Sequence, residues 1–150
     1  MDSTFEKLIT DVQIDMVEIC LEYVNEQADC VYIYCSFEDN ALTNNFFFRI
    51  KNKLFKKHKL NDLNGNIQFN TSIEYQRAAI KSINQDIEEI NNLCKQYNKP
   101  MPTEMKIIYD VKKKDFSVDY RYDKIYTNTS DKSAMMICDE WFDSLESCLK

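Results

Sequence analysis

The segment 105–122 constrains the fold more than any other part of the sequence, because apolar residues recur in it with a period of two. Apolar side chains occupy every second position of 105–111 and again of 116–122, and the polar stretch 112–115 separates the two runs. Successive side chains of a β-strand point to opposite faces of a sheet, so this pattern predicts a hairpin with one apolar face. The other face would carry Lys106, Ser117, Asp119 and Arg121. Such a hairpin must pack its apolar face against elements that the rest of the chain supplies.

Three segments with helical periodicity can cover that face. Apolar residues recur at three- and four-residue steps in 4–25, 72–97 and 132–149. Ser3 with Glu6, and Thr71 with Glu74, have the spacing of capping boxes. This spacing predicts where the first two helices begin.

Further strands are predicted at 30–37 and 46–50, where β-branched and aromatic residues dominate, and within the basic stretch 53–60. The polar segment 38–45 would connect the first two of these strands, and a turn or loop at 61–66 would follow the third. The resulting order of elements contains no repeated strand–helix–strand unit, which argues against a parallel sheet. We therefore predict a single α+β domain over 1–150. Its antiparallel sheet of four to five strands would be packed with two long helices and a C-terminal helix.

The cysteine and histidine content argues against several classes of site. Six cysteines occur without a CxxC pair, and His58 is the only histidine, so zinc-finger and thioredoxin-like spacings are absent. Cys20, Cys94 and Cys138 lie among apolar neighbours, so we expect buried free thiols. The N-terminal residues lack the basic and apolar regions of a signal peptide, and no apolar run reaches the length of a membrane span. We expect a cytoplasmic protein with no membrane association, no metal and no cofactor.

Charge is distributed very unevenly along the chain, whose net charge is −6. Residues 1–40 contain ten acids and one base, whereas residues 41–60 contain six bases and no acid. Like charges four residues apart on a helix repel, so helix stability does not require a row of acids on the first helix. A docking surface for a basic protein is the functional interpretation of that row. Its members follow a 4-3-4-4 spacing: Asp11, Asp15, Glu18, Glu22 and Glu26.

Two other interpretations compete with protein binding. Asp115, Asp119 and Asp123 recur every four residues and could supply an acid/base pair of an enzyme, although acids on a solvated hairpin face are a common structural feature. The basic segment 49–59, which includes His58, could bind phosphates, but the acidic remainder of the chain opposes binding of nucleic acid. We expect neither catalysis nor nucleic-acid binding.

Parts of the sequence resemble the YezG-like family of bacterial immunity proteins. Residues 31–39 (VYIYCSFED) followed by 45–49 (NFFFR) resemble the tyrosine-rich strand, acidic turn and aromatic second strand of that family. Residues 116–123 (FSVDYRYD) resemble its late strand. The resemblance implies a cytosolic antitoxin that binds a cognate toxin domain, often a nuclease, and blocks it.

The residues and the resemblance together predict a non-catalytic immunity protein that neutralises a cognate, basic toxin domain through direct contact. We expect that toxin domain to be a nuclease. An adaptor or regulatory module that binds some other basic protein would carry the same charge pattern and is the alternative. The oligomeric state is left open by the sequence. The candidate partner-binding residues are Asp15, Glu18, Glu22, Glu26, Glu38, Asp39, Asp119, Asp123 and Tyr126.

Overall fold

The computed structural model describes residues 3–63, 65, 67–124 and 133–149, which form three α-helices and five β-strands. In chain order these are α1 (Ser3–Tyr23), β1 (Cys30–Glu38), β2 (Ala41–Ile50), β3 (Lys53–Lys56), α2 (Ile73–Gln96), β4 (Glu104–Asp110), β5 (Asp115–Arg121) and α3 (Ala134–Cys148). The strands form one sheet in the order β3-β2-β1-β4-β5, and every neighbouring pair is antiparallel. The predicted α+β class and antiparallel sheet are confirmed.

Strand β1 is the centre of the sheet, and nearly all of its side chains are buried. Val31, Ile33 and Cys35 belong to the core formed with α1 and α2. Tyr32 and Tyr34 point to the opposite face, where they belong to a second core formed with α3. The sheet therefore lies between a layer of two helices and a layer of one.

Helix α3 covers only part of the second face of the sheet. The Trp141 ring lies 5.2 Å from that of Phe47 on β2 and 5.9 Å from that of Tyr32 on β1. On β5, by contrast, the residues of this face are exposed, as expected for the polar face of the hairpin: Ser117, Asp119 and Arg121.

The second strand begins earlier than the sequence predicts. The polar segment 38–45 was expected to be a connection, but β1 and β2 are joined by the two residues Asp39 and Asn40, whose φ angles are 51° and 63°. Such positive values suit tight hairpin turns, and Asp and Asn tolerate them. The polar residues that follow continue the strand because they find partners: the Asn44 amide donates to the Ile80 carbonyl oxygen at 3.1 Å.

Two smaller expectations differ from the structure in detail. The N-cap of α2 is Ser72 rather than Thr71, and the Ser72 hydroxyl accepts a hydrogen bond from the Tyr75 backbone N–H. The segment 61–66 was predicted as a turn or loop, and its first three residues belong to a short 3-10 helix at Leu60–Leu63.

The cysteines are all free thiols, as expected, and only Cys148 is exposed. Among the described residues, no helix combines the length and the apolar character that crossing a membrane requires.

Candidate protein-binding surface

The acidic stripe of α1 is exposed along most of its predicted length. Asp11, Asp15, Glu18 and Glu22 are exposed, and their spacing places them on one side of the helix. The helix ends at Tyr23, so Glu26 lies in the turn that follows, with a φ angle of 62°. Glu26 is exposed but does not continue the helical row.

Helix α2 adds acids to the same surface. It runs beside α1 in the opposite direction, so Leu8 and Leu93 line one end of a shared hollow of about 260 Å³. The polar lining of this hollow comes from both helices: Asp11, Asp15, Asp86 and Glu89. The sequence did not predict this contribution, because no period within α2 shows which of its sides will meet α1.

The Asp86 carboxyl group is the most perturbed acid of this surface. The pKa of Asp86 is raised to about 8, chiefly by burial. A hydrogen bond with the Asp15 carboxyl group and the charge of Glu89 contribute to this rise of the pKa. A carboxylate can only accept hydrogen bonds, so a bond between two carboxyl groups requires a proton on one of them. The Asp86 Oδ2 atom is buried and has no hydrogen-bond partner. Burial among other acids therefore disfavours the charged form of Asp86.

A second hollow of about 460 Å³ lies further along the same pair of helices. It places Glu22 beside an aromatic pair, since the Tyr75 ring stacks on that of Tyr23 with 4.8 Å between the centroids. Small residues of α2 keep the hollow open: Ala78, Ala79 and Ser82. The helix pair thus offers an acid next to partly exposed apolar surface, a combination found at the anchor positions of protein interfaces.

Glu38 was predicted as an exposed acid of the β1–β2 turn, and this expectation was wrong. Only 1% of its surface is exposed, because it is the last residue of a strand at the centre of the sheet. A partner that docks on the surface of this structure would not reach its carboxylate.

The remaining predicted residues do not join the α1 stripe. Asp39 is exposed and forms an ion pair of 3.1 Å with Lys124, at the sheet end to which Asp123 also belongs. Asp119 is exposed on β5 opposite Lys106, on the face of the sheet away from α1. Tyr126 lies outside the described residues. The predicted set is therefore divided between two sides of the molecule, and only Asp15, Glu18 and Glu22 form a continuous row.

A buried polar cluster beneath α3 was not predicted. The Tyr34 hydroxyl donates a hydrogen bond of 2.8 Å to Glu104 Oε2, and both residues are buried. Burial and this hydrogen bond raise the pKa of Tyr34, so the hydroxyl stays protonated. Lys106 Nζ lies 3.9 Å from Glu104 Oε1 and 5.5 Å from the centre of the Trp141 ring. The cluster joins β1, β4 and α3 by contacts that offset the cost of burying a charge.

One lysine of the basic segment contacts α3, and other basic side chains of the segment contact the sheet. Lys56 forms an ion pair of 3.3 Å with Asp139 and lies 5.2 Å from the centre of the Phe142 ring. The Lys57 ammonium group donates to the Asn45 side chain. Partial burial and then the charges of the adjacent lysines lower the pKa of His58.

Within the described ranges, no three His, Cys, Asp or Glu side chains are grouped as metal ligands. The chain matches no protein-family model, and no curated protein is similar enough in sequence to be a relative.

Proposed function

We propose that the protein is a cytoplasmic immunity protein that binds and neutralises a basic toxin domain, and that it does so through the outer surface of α1 and α2. The observation that carries the proposal is the convergence of acids from both helices, with Asp11 and Asp15 facing Asp86 and Glu89 across one hollow. Acids brought together in this way repel one another and weaken the helix pair. A partner that supplies Lys or Arg side chains relieves that repulsion when it binds.

The resemblance to the YezG-like family supports the toxin as the partner, and the charge supports a basic one. Complementary charge accelerates encounter and rejects wrong partners, which suits an inhibitor that must capture a toxin quickly. Tyr75, which is half-buried beside Glu22 and stacks on the buried Tyr23, supplies the apolar contact that tight binding requires in addition.

Co-expression with the product of the adjacent gene tests the proposal. If the proposal holds, the wild-type chain suppresses the growth defect caused by that product, and the two proteins co-purify. The double variant Glu18→Lys, Glu22→Lys should lose protection, because it reverses two charges of the exposed row. The matched control is Asp62→Lys, Asp143→Lys, which changes the net charge equally at exposed residues away from this surface.

Protection by the control and loss by the α1 variant would support the proposed surface. Equal protection by both variants would remove the α1 surface as the binding site. If the product of the adjacent gene binds the chain but causes no growth defect, the adaptor alternative is favoured over the immunity function.

A further inference from the structure

Strand β5 (Asp115–Arg121) forms one edge of the sheet, and no strand in the described part of the chain pairs with its outer side. An edge strand directs alternate backbone N–H and C=O groups outward, where a strand of another molecule can pair with them. β5 is seven residues long and contains no proline. The opposite edge strand, β3, has only four residues, and two of them are lysines, which discourage pairing. Of the two edges, β5 is the one suited to accept a further strand.

The charges of β5 are complementary to those of a second copy of the same strand. The antiparallel register that matches all seven residues places Val118 opposite Val118. Asp115 of each copy then lies opposite Arg121 of the other, and symmetry produces this pair twice. Just beyond the strand ends, the same register places Lys113 opposite Asp123. Opposite charges at directly facing positions stabilise paired strands, and like charges destabilise them.

Neighbouring registers lack this complementarity. A shift of the pairing by two residues in one direction places Asp115 opposite Asp119, and the shift in the other direction places Asp119 opposite itself. Within the part of the chain that the structure describes, neither Asp115 nor Arg121 forms an ion pair. Both side chains are exposed. An acid and a base at opposite ends of one edge strand are thus available to a second copy.

The apolar residues of β5 suit the same partner. The matched register places Phe116 opposite Tyr120 on the face that packs against α1, and such aromatic pairs stabilise sheets. Tyr120 is 39% exposed although its hydroxyl accepts a hydrogen bond of 2.7 Å from the buried Gln13 amide. A second copy at this edge would cover apolar surface that the single chain leaves in water.

We propose that β5 pairs antiparallel with β5 of a second copy of this chain, and that the protein is a symmetric dimer whose two sheets are continuous. This inference does not rest on the proposed function, because it uses the edge of the sheet and leaves the outer surface of α1 and α2 out of the contact.

Charge reversal and its rescue test the pairing. Sedimentation of the wild-type chain should give a mass near twice 17.9 kDa. Arg121→Asp places two acids opposite each other at both ends of the contact, and Asp115→Arg places two bases there. Each single variant should weaken dimerisation about tenfold or more. The double variant Asp115→Arg, Arg121→Asp exchanges the charges and should restore the wild-type dissociation constant.

The control Asp143→Arg makes a comparable change on α3, away from the edge, and should leave the dimer intact. A wild-type chain that remains monomeric at high concentration would overturn the proposal. A dimer insensitive to both single reversals, or one that the double variant fails to restore, would overturn it too.

A cysteine cross-link provides a second measurement that does not depend on charge. In a Cys148→Ser background, Val118→Cys should form a disulfide between copies under mild oxidation, because residues at the symmetry axis have their Cβ atoms within reach of each other. Asp143→Cys in the same background serves as the control and should stay reduced. If Val118→Cys forms no more cross-link than this control, the contact does not lie at β5.

Discussion

Asp86 and Glu104 both have carboxyl oxygen atoms shielded from water, but their neighbours differ in charge. Glu104 accepts a hydrogen bond from Tyr34 and lies near Lys106, so its charge has compensating neighbours. Asp86 faces further acids from both α1 and α2. The first arrangement links β1 to β4, whereas the second leaves the α1–α2 contact weaker than it could be.

The raised pKa of Asp86 makes stability depend on pH in a definite direction. In the unfolded chain this group titrates near 3.8, whereas in the folded chain the pKa is raised to about 8. The contribution of Asp86 to stability is therefore complete below the unfolded pKa and is lost as pH rises through the folded pKa. The free energy of unfolding should decrease between about pH 4 and pH 8.

Asp86→Asn tests this dependence, since the amide N–H of Asn can donate to Asp15 without the uptake of a proton from solvent. At pH 8 the variant should be more stable than the wild type by about 1–2 kcal/mol, after allowance for solvent screening. Urea unfolding at several pH values measures the difference. Glu88→Gln, at an exposed position of the same helix, should change little. A wild type with flat stability over this pH range would contradict the raised pKa.

The hydrogen bond between Tyr34 and Glu104 should contribute measurably to stability. Tyr34→Phe removes the hydroxyl donor and leaves a buried carboxylate with one bond fewer, at a cost of about 1.5–3 kcal/mol. Chemical unfolding compares it with Tyr122→Phe, which alters a residue that is 55% exposed. Equal stability of the two variants would mean that the buried carboxylate finds another donor.

At the level of elements, α3 is attached to the sheet by a small aromatic contact. The Phe142 ring lies 5.0 Å from that of Phe47, and Phe142 is 7% exposed. Phe142→Ala should destabilise the protein by about 3–5 kcal/mol, because it leaves a cavity between α3 and β2. Met136→Ala on the same helix should cost little, since Met136 is 48% exposed. Thermal unfolding followed by the fluorescence of Trp141 would distinguish the two.

The elements that the sequence predicts well are those whose periodicity depends on one buried side. The β4–β5 hairpin and the helices α1 and α2 each alternate or repeat clearly, because one side faces the core. The start of β2 was missed because Thr43, Asn44 and Asn45 look like loop residues, and the hydrogen bond from Asn44 to α2 is not visible in the sequence.

The α1 part of the candidate site was predictable for the same reason. Asp15, Glu18 and Glu22 follow from the period of α1 alone. Asp86 and Glu89 become part of the surface only when α2 packs against α1, and the burial of Glu38 depends on strands on both sides of β1. Local spacing carries no information on such contacts.

For the whole molecule, the six thiols offer a measure of how often the fold opens. Five are buried and one, Cys148, is exposed. Burial raises the pKa of every buried thiol, which suppresses the reactive thiolate: Cys20, Cys30, Cys35, Cys94 and Cys138.

A thiol reagent should therefore modify one group rapidly in the native protein. Cys148→Ser should abolish this fast phase, and the other five thiols should react at the rate of opening. Denaturant should make them all accessible. A second fast thiol in the Cys148→Ser variant would show that part of the core opens separately from the rest.

The two edges of the sheet differ in length and charge, and this difference limits how far pairing could proceed. If strands join at β5, the combined sheet ends at β3 on both sides, where four residues with two lysines offer little to a further strand. Contacts that join unlike surfaces can repeat without limit and produce fibres, whereas a contact between identical edges closes at two copies. The short, lysine-bearing β3 strand would thus prevent the dimers from aggregating through further strand pairing.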